Sequence, residues 1–455
     1  MKDPKEEEAA NWVRRLLGLG FWVQGFRCFA WMGVNFFLKD GLKVAPSTLQ
    51  LLQNSANLPM VGKPLYGIVS DAVYIRGEHR IPYIAIGALL QSVSWLAVGL
   101  IPASVISILT MSLFLLLGNL GASIVEVAND ALVAETGKPA SPTSSEGGGG
   151  ELQSYVWMLA SIGGALGNLL GGICISQLSP RYMFIIFGLL LALQFLATAS
   201  VRESSLNLPK PITSDNKKKN NKNKSYSSPS GGSNIRKQLS QLSLALQRPD
   251  IAYSIAWFTM SFAIIPILMG TMFFYQTQQL QLDSSLLGIS KVFGQAAMLA
   301  WSASYNRWLK VVPVRKLLSG VQVATVALMV SDALFVRRLY REMGVSDGTY
   351  VVLFSGLLEV LPLFKVLPFS VLMAGLCPAG CEGSLMAFVM SAIALATIVS
   401  GYLGVALAAF MGVSGDDFTC LPQAILIQAA CTLLPIFWTS WIPDAAIGSG
   451  RAKTD

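Results

Sequence analysis

The chain has 455 residues, of which 53% are apolar and only 13% are charged, and its formal net charge is +8. Soluble domains carry about a quarter charged residues, so this composition excludes an ordinary soluble protein. The apolar runs are long and unbroken, which favours spanning helices over the short alternating strands of a barrel. We therefore expect an all-α integral membrane protein.

Twelve stretches of the chain reach the length of about 20 residues that a helix needs to cross the hydrocarbon core of a bilayer. The predicted spans are roughly 16–38, 47–70, 82–102, 105–128, 152–174, 181–200, 251–275, 284–304, 314–332, 349–373, 383–411 and 421–441.

A segment rich in Lys, Asn, Ser and Gly separates the sixth predicted span from the seventh. Such a composition is typical of a disordered, solvated linker. The smaller loop at 137–150 is predicted to be flexible as well. The sequence thus predicts a cytosolic N-terminal segment (1–15), a six-helix bundle (16–201), a basic cytosolic linker (202–248), a second six-helix bundle (249–441) and a cytosolic tail (442–455).

Most of the 33 Lys and Arg residues fall in the two termini, in the linker and in the loops that the prediction places on the same side of the bundle as the termini. This bias predicts that both termini face the cytosol, or the equivalent side of an organelle membrane. The N-terminus is acidic, unlike transit peptides. The plastid envelope, the tonoplast and the plasma membrane are all compatible with the sequence.

Several classes of function have no support in the sequence. The basic residues are not interleaved with aromatic ones, so the positive charge does not predict nucleic-acid binding. His79 is the only histidine, which excludes a multi-histidine metal site. Cys377 and Cys381 lack a second pair of ligands nearby. With no nucleotide-binding loop and no catalytic constellation, we expect neither an enzyme nor a cofactor.

Two six-helix halves joined by a long linker form the layout of major facilitator transporters. The loop between spans two and three carries a pattern that resembles their signature, with Gly67 and Asp71 followed by Arg76 and Arg80. Gly67 would allow close helix approach, and Asp71 would cap a helix or pair with cations across the half. We predict a gating role for these four residues and for Glu135, beyond the end of span four.

An ionisable side chain inside a span costs at least about 2.5 kcal/mol, so each one is a candidate functional residue. Glu126 and Asp130 lie four residues apart on one helical face, where two carboxylates suit proton coupling. Arg27 is either a substrate-binding cation or an ion-pair partner of Glu126. Lys63 either faces a cavity or extends to the membrane surface. Further candidates are Lys291, Glu359, Lys365 and Glu382.

Two other patterns concern packing. Gln50, Asn54 and Asn57 form a polar stripe on span two, which predicts contact with a water-filled cavity or with another helix. Small residues recur every three or four positions in span five, which predicts a tight helix–helix contact. The glycines of that span are Gly163, Gly164, Gly167, Gly171 and Gly172.

The loop signature is also the strongest sign of a particular family. The run Lys63-Pro64-Leu65-Tyr66-Gly67-x-x-Ser70-Asp71, followed by Gly77 and Arg80-x-Pro82-Tyr83, resembles the hallmark of the folate–biopterin transporter family of plants, cyanobacteria and kinetoplastids. Asp130-Ala-Leu-Val-Ala-Glu135 and Cys377-Pro378-x-Gly380-x-Glu382 resemble further motifs of that family. The likeness covers nearly the whole chain and indicates a plant member.

The resemblance implies proton-linked movement of folates or pterins by a protein that acts as a monomer in the lipid bilayer. Glu126, Asp130 or Glu382 would bind the amino-pyrimidine edge of a pterin through paired hydrogen bonds, and Arg27 and Lys63 would bind the glutamate tail. Two alternatives stay open. One is a permease for another organic anion, and the other is a membrane scaffold or sensor that does not transport.

Overall fold

The computed structural model describes residues 4–102, 104–136, 148–201, 240, 242–376 and 382–443. Within these residues all regular structure is helical, apart from an isolated bridge between Ile75 and Glu78. The described helices group into twelve long segments, numbered α1 to α12 in chain order. This arrangement confirms the predicted all-α membrane architecture.

The first six segments lie before the linker. They are α1 (4–41, made of Pro4–Phe26, Cys28–Phe36 and the π-helical turn Phe37–Gly41), α2 (46–72, made of Pro46–Ala56, Leu58–Val61 and Lys63–Ala72), α3 (Ile81–Leu100), α4 (Ile108–Thr136), α5 (Gly148–Gln177) and α6 (Pro180–Ala199).

The second six segments follow it. They are α7 (249–279, made of Pro249–Ala263, Met269–Phe274 and Tyr275–Gln279), α8 (Ser284–Arg307), α9 (Val314–Val336), α10 (347–376, from Asp347–Tyr350 through Val351–Ser355, Gly356–Val360 and Leu361–Lys365 to Val366–Leu376), α11 (Glu382–Phe410) and α12 (421–441, made of Leu421–Leu433 and Leu434–Trp441).

Among the described residues, eight helices are long and apolar enough to cross a membrane by themselves, and they lie in α3–α6 and α9–α12. The other four segments are interrupted or more polar. The chain breaks α1 at Arg27, α2 at Asn57 and Gly62, and α7 between Ala263 and Met269, while α8 carries Lys291 and several serines.

The observed helices differ from the predicted spans mainly at their ends. Helix α1 begins at Pro4, well before the predicted span, so much of the predicted N-terminal segment is helical. Helix α4 continues to Thr136 and α9 to Val336. Residues 242–246, inside the predicted linker, are helical, and Ala245 is buried against the second half. Residues 202–239 and 241 of that linker, and the pair Cys377 and Cys381, lie outside the described residues.

The glycine-rich helix α5 packs closely against α1, as predicted. A methyl group built on Gly163 would lie 2.3 Å from the carbonyl oxygen of Trp22, and one on Gly25 would lie 2.0 Å from that of Ala160. No side chain fits at either position. The two backbones therefore approach as closely as small-residue motifs allow.

The two halves meet through α2 against α7 and α11, and through α5 against α8. Gln50 of α2 crosses this boundary. Its amide nitrogen donates to the carbonyl oxygens of Ile267 (2.6 Å) and Gly401 (2.7 Å), and its oxygen accepts from the N–H of Gly270 (2.8 Å). This part of the polar stripe contacts other helices, which was one of its two predicted environments.

The apolar contact between the halves lies on the side of the bundle opposite the N-terminus, which we call the distal side. One buried cluster there combines residues of both halves, and Phe36 of α1 packs edge-on against Phe273 of α7 with ring centroids 5.3 Å apart. The other buried clusters of the described residues each belong to a single half. The apolar core is thus shared between the halves on the distal side only.

Candidate functional site

Three charged side chains from three helices meet inside the first half. Arg27 of α1 lies 3.3 Å from one carboxylate oxygen of Glu126 in α4, and Lys63 of α2 lies 2.5 Å from the other. The side chains are 15%, 10% and 25% exposed for Arg27, Glu126 and Lys63. Two cations against one carboxylate leave this group, which we call the N-half cluster, with a net positive charge.

An asparagine ties the N-half cluster to the break in α2. Asn119 accepts a hydrogen bond of 2.5 Å from Arg27 and donates to the carbonyl oxygen of Ala56 (2.5 Å) and to Asn57 (3.1 Å). The Ala56 carbonyl is available because the N–H of Met60 donates to Asn57 instead (2.9 Å). The interruption of α2 therefore supplies a backbone acceptor that helps to orient the arginine.

A cavity of about 230 Å³ lies between the halves and is bounded mainly by helices of the second half. In its wall, Lys291 of α8 lies 2.5 Å from Glu359 of α10. Asn35 and Gln53 of the first half are hydrogen-bonded to each other and also line it. The other polar side chains of its wall are Gln276, Ser290, Asp332, Ser355 and Gln428.

Asp332 of α9 is a functional candidate that the sequence reasoning missed. It lines the cavity, is 5% exposed, and accepts a hydrogen bond of 3.3 Å from Ser355. The predicted ninth span ended at residue 332, which placed this aspartate at the membrane surface. Glu126 was selected because it is an ionisable residue inside a predicted span. The same criterion would have selected Asp332 if the ninth predicted span had extended one turn further.

Lys365 of α10 is buried behind the cavity, at 1% exposure. Its ammonium group donates to the carbonyl and hydroxyl oxygens of Ser261 (3.1 and 3.0 Å) and to Gln322 (3.0 Å), and lies 4.1 Å from the ring centroid of Phe262. These neutral partners satisfy its donors, so its environment is that of a packed core residue.

The structure places the remaining predicted binding residues in different surroundings. Asp130 lies on α4 one turn beyond Glu126 and is exposed. The positions of Glu135 and Glu382 fall in helices, but their side chains lie outside the described part of the chain.

The predicted gating loop is held by one buried arginine. Arg80 is 5% exposed, donates to Ser70 (2.6 Å) and forms an ion pair with Asp71. Arg76 is exposed and forms a two-residue turn with Gly77. The φ values of Arg76 (56°) and Gly77 (80°) match a type I′ hairpin turn. The two predicted arginines therefore have different environments.

Gly67 differs from its expected role. A methyl group at this position would lie 3.5 Å from a side-chain carbon of Val127, which is an ordinary contact. In this conformation the packing of α2 against α4 does not require a glycine there.

Solved structures share this fold over almost the whole chain. The nucleoside transporter NupG superposes with a TM-score of 0.66 at 13% identity, covering 95% of this chain and 98% of that one. A D-xylose-proton symporter superposes with a TM-score of 0.64 at 14% identity, covering 95% and 98%. The chain therefore has the fold of the major facilitator transporters, with helices that cross the membrane many times.

Residues 24–454 match the BT1 family, and the chain belongs to it. It is 58% identical over 443 residues to probable folate-biopterin transporter 7 of Arabidopsis thaliana, and the alignment covers 97% of this chain and 96% of that relative. It is 27% identical to the folate-biopterin transporter of Synechocystis sp., with 98% and 85% covered. These matches confirm the predicted family and support its plant membership.

Proposed function

We propose that the protein moves folates or pterins across a membrane together with protons, as a monomer that opens alternately to the two sides. The observation that carries this proposal is the N-half cluster, a net positive group inside a transporter fold. Relatives over the whole chain are named folate-biopterin transporters. An anionic tail on the substrate is the chemical partner that such a cluster would bind.

Within this proposal, Arg27 and Lys63 bind the carboxylates of the substrate. Glu126 already accepts from both cations, so its part is to position them until the substrate competes for them. A bidentate carboxylate contact suits the planar guanidinium of Arg27, while Lys63 adds a compact charge that is easily reoriented. Glu382, whose side chain is undescribed, keeps its proposed role at the pterin edge.

The proton-coupling role falls to Asp130 in preference to Glu126. Glu126 is engaged by two cations, Arg27 and Lys63, so its carboxylate is already occupied in positioning them. Asp130 is exposed and lies on the same helix one turn nearer to the side of the N-terminus, where a proton is exchanged readily with solvent. We propose that this side is the cytosol or its organelle equivalent, because most basic residues lie there.

Uptake into proteoliposomes tests the proposal. Labelled 5-formyltetrahydrofolate, biopterin and the unrelated anion citrate are each supplied with and without an inward proton gradient. We expect uptake of one or both pterin compounds, stimulated by the gradient, and no citrate uptake. Citrate uptake alone would identify a permease for other anions. Absence of all uptake by a sample that is monodisperse and thermally stable would favour a non-transporting role.

A further inference from the structure

Asp332 and Glu126 are the buried carboxylates of the described residues, and Asp332 differs from Glu126 because it has no cation within ion-pair distance. Glu126 is paired with Arg27 and Lys63, and Glu359 is paired with Lys291. Asp332 is 5% exposed, and it is hydrogen-bonded to two hydroxyl groups, those of Ser355 (3.3 Å) and Tyr350.

The elements around Asp332 explain this isolation. Helix α10 presents Tyr350 and, further along the cavity, Glu359, while α8 presents Lys291, which is already 2.5 Å from Glu359. Helix α7 contributes Tyr275, whose hydroxyl donates to the carbonyl oxygen of Val336 (3.3 Å), and Gln276. Helix α12 contributes Ile425 and Gln428, and the first half contributes Asn35 and Gln53.

Beyond the end of α9, a second group of charged side chains lies at the surface. Arg341 pairs with Asp347 at 2.6 Å, and Tyr340 donates to Asp347 at 2.5 Å. This group lies at the distal membrane surface. The rings of Tyr340 and Tyr350 lie between the group and Asp332, with centroids 5.3 Å apart and ring planes tilted by 40°. Arg341 is therefore committed to a different carboxylate, and Arg338 at the same surface contacts the hydroxyl group of Tyr275.

A buried carboxylate without a cation is costly to keep ionised, because hydroxyl donors replace only part of its hydration. The cost rises when a second negative charge enters the same cavity. The Lys291–Glu359 pair is neutral as a unit, so an ionised Asp332 would give the cavity a net negative charge and repel an anionic ligand.

We propose that Asp332 takes up a proton whenever an anionic substrate occupies the cavity between the halves. The proton comes from water and converts the carboxylate to the carboxylic acid, which keeps its hydrogen bonds as donor or acceptor. Anion and proton then enter and leave the cavity together, which is symport. This inference rests on the proposed function and deepens it by assigning a second protonation site, in the half opposite Asp130.

The variant Asp332→Asn tests the proposal, because asparagine has the same shape and stays uncharged. We expect exchange of labelled for unlabelled substrate across the proteoliposome membrane to persist, while the stimulation of uptake by an inward proton gradient is lost. The matched control is Asp347→Asn, which removes a carboxylate of the distal surface and should keep the stimulation. Stimulation of the Asp332→Asn variant equal to that of the unmodified protein would overturn the proposal.

A measurement on the unmodified protein covers the case in which Asp332→Asn does not fold or shows no exchange. Dicyclohexylcarbodiimide modifies protonated carboxyl groups in apolar surroundings, and peptide mass spectrometry locates the adduct. We expect modification of Asp332 that increases as the pH falls, because the reagent reacts with the protonated carboxyl group. Failure to modify Asp332 at any pH would contradict the proposal. Since this labelling needs no transport, its pH dependence can hold even if folates and pterins prove not to be substrates.

Discussion

Arg27 donates two hydrogen bonds from separate nitrogen atoms of its guanidinium group, one to Glu126 and one to Asn119. The sequence left two interpretations of Arg27 open, a substrate-binding cation or an ion-pair partner of Glu126, and the contact with Glu126 is that ion pair. The pair and a binding role are compatible, because a carboxylate-bearing substrate can replace or share Glu126. The 25% exposure of Lys63 makes it the more accessible of the two cations.

At the residue scale, the first prediction is that Arg27→Ala abolishes measurable uptake, while Arg27→Lys retains part of it. Removing one partner of a buried charge pair costs roughly 2–5 kcal/mol, which is at least a tenfold loss of affinity at about 1.4 kcal/mol per factor of ten. Equilibrium binding of labelled substrate to the purified variants gives the affinity. Wild-type affinity in Arg27→Ala would remove the N-half cluster from substrate binding.

The second residue-scale prediction separates the two arginines of the gating loop. Arg80→Ala should lower thermal stability and slow transport, since it leaves Ser70 and Asp71 without their buried partner. Arg76→Ala, in the exposed turn, is the matched control and should change neither by a measurable amount. Melting curves in detergent and initial uptake rates report the two effects. Equal behaviour of both variants would show that the loop is not held through Arg80.

At the scale of elements, backbone proximity explains why α1 and α5 need glycine. The carbonyl oxygen of Trp22 lies where a methyl on Gly163 would have to go, and backbone atoms cannot move aside as a flexible side chain can. The N-half cluster depends on this contact, because α1 carries Arg27. A shift of α1 would alter the distance from Arg27 to Glu126.

We therefore predict that Gly163→Ala lowers the melting temperature and weakens substrate binding. The control is Gly320→Ala in α9, where no atom lies within 4 Å of the added methyl and alanine is favoured over glycine in a helix by up to about 1 kcal/mol. If the Gly163→Ala protein were as stable as the Gly320→Ala protein, α1 and α5 would be able to move apart without loss of stability.

At the scale of the whole molecule, one apolar cluster on the distal side is shared by the two halves, while the other buried apolar clusters of the described residues each lie within one half. The alternating access that we propose would require this contact to break while each half stays intact. Phe36 and Phe273, with ring centroids 5.3 Å apart, lie at the point where the halves would separate in that proposal.

The prediction at this scale is that a reversible cross-link between Phe36→Cys and Phe273→Cys, in a background without other cysteines, blocks uptake until it is reduced. The control joins Phe37→Cys and Phe184→Cys, a ring pair 5.8 Å apart within the first half, and should leave uptake unaffected by cross-linking. Uptake at the uncross-linked rate by a fully cross-linked Phe36→Cys/Phe273→Cys protein would argue against separation of the halves at this point.

The sequence by itself determined the class of architecture, the order of the helices and the family. Lipid accepts long helices whose backbone groups are paired internally, so twelve apolar stretches and a polar loop motif were enough. Helix ends were less well determined, and Asp332 was missed for that reason, since the apolar pattern weakens near the membrane surface.

Only the tertiary structure decided which charges pair. Arg27 and Glu126 are 99 positions apart in the chain, and Lys291 and Glu359 are 68 apart. Helical periodicity relates residues within a few turns and contains no information on such distances. Whether a buried charge is neutralised depends on the helix that packs against it. Glu126 and Asp332 are both carboxylates within spanning helices, so the sequence does not distinguish them. In the folded protein Glu126 is paired with cations and Asp332 is not, and their chemistry differs for that reason.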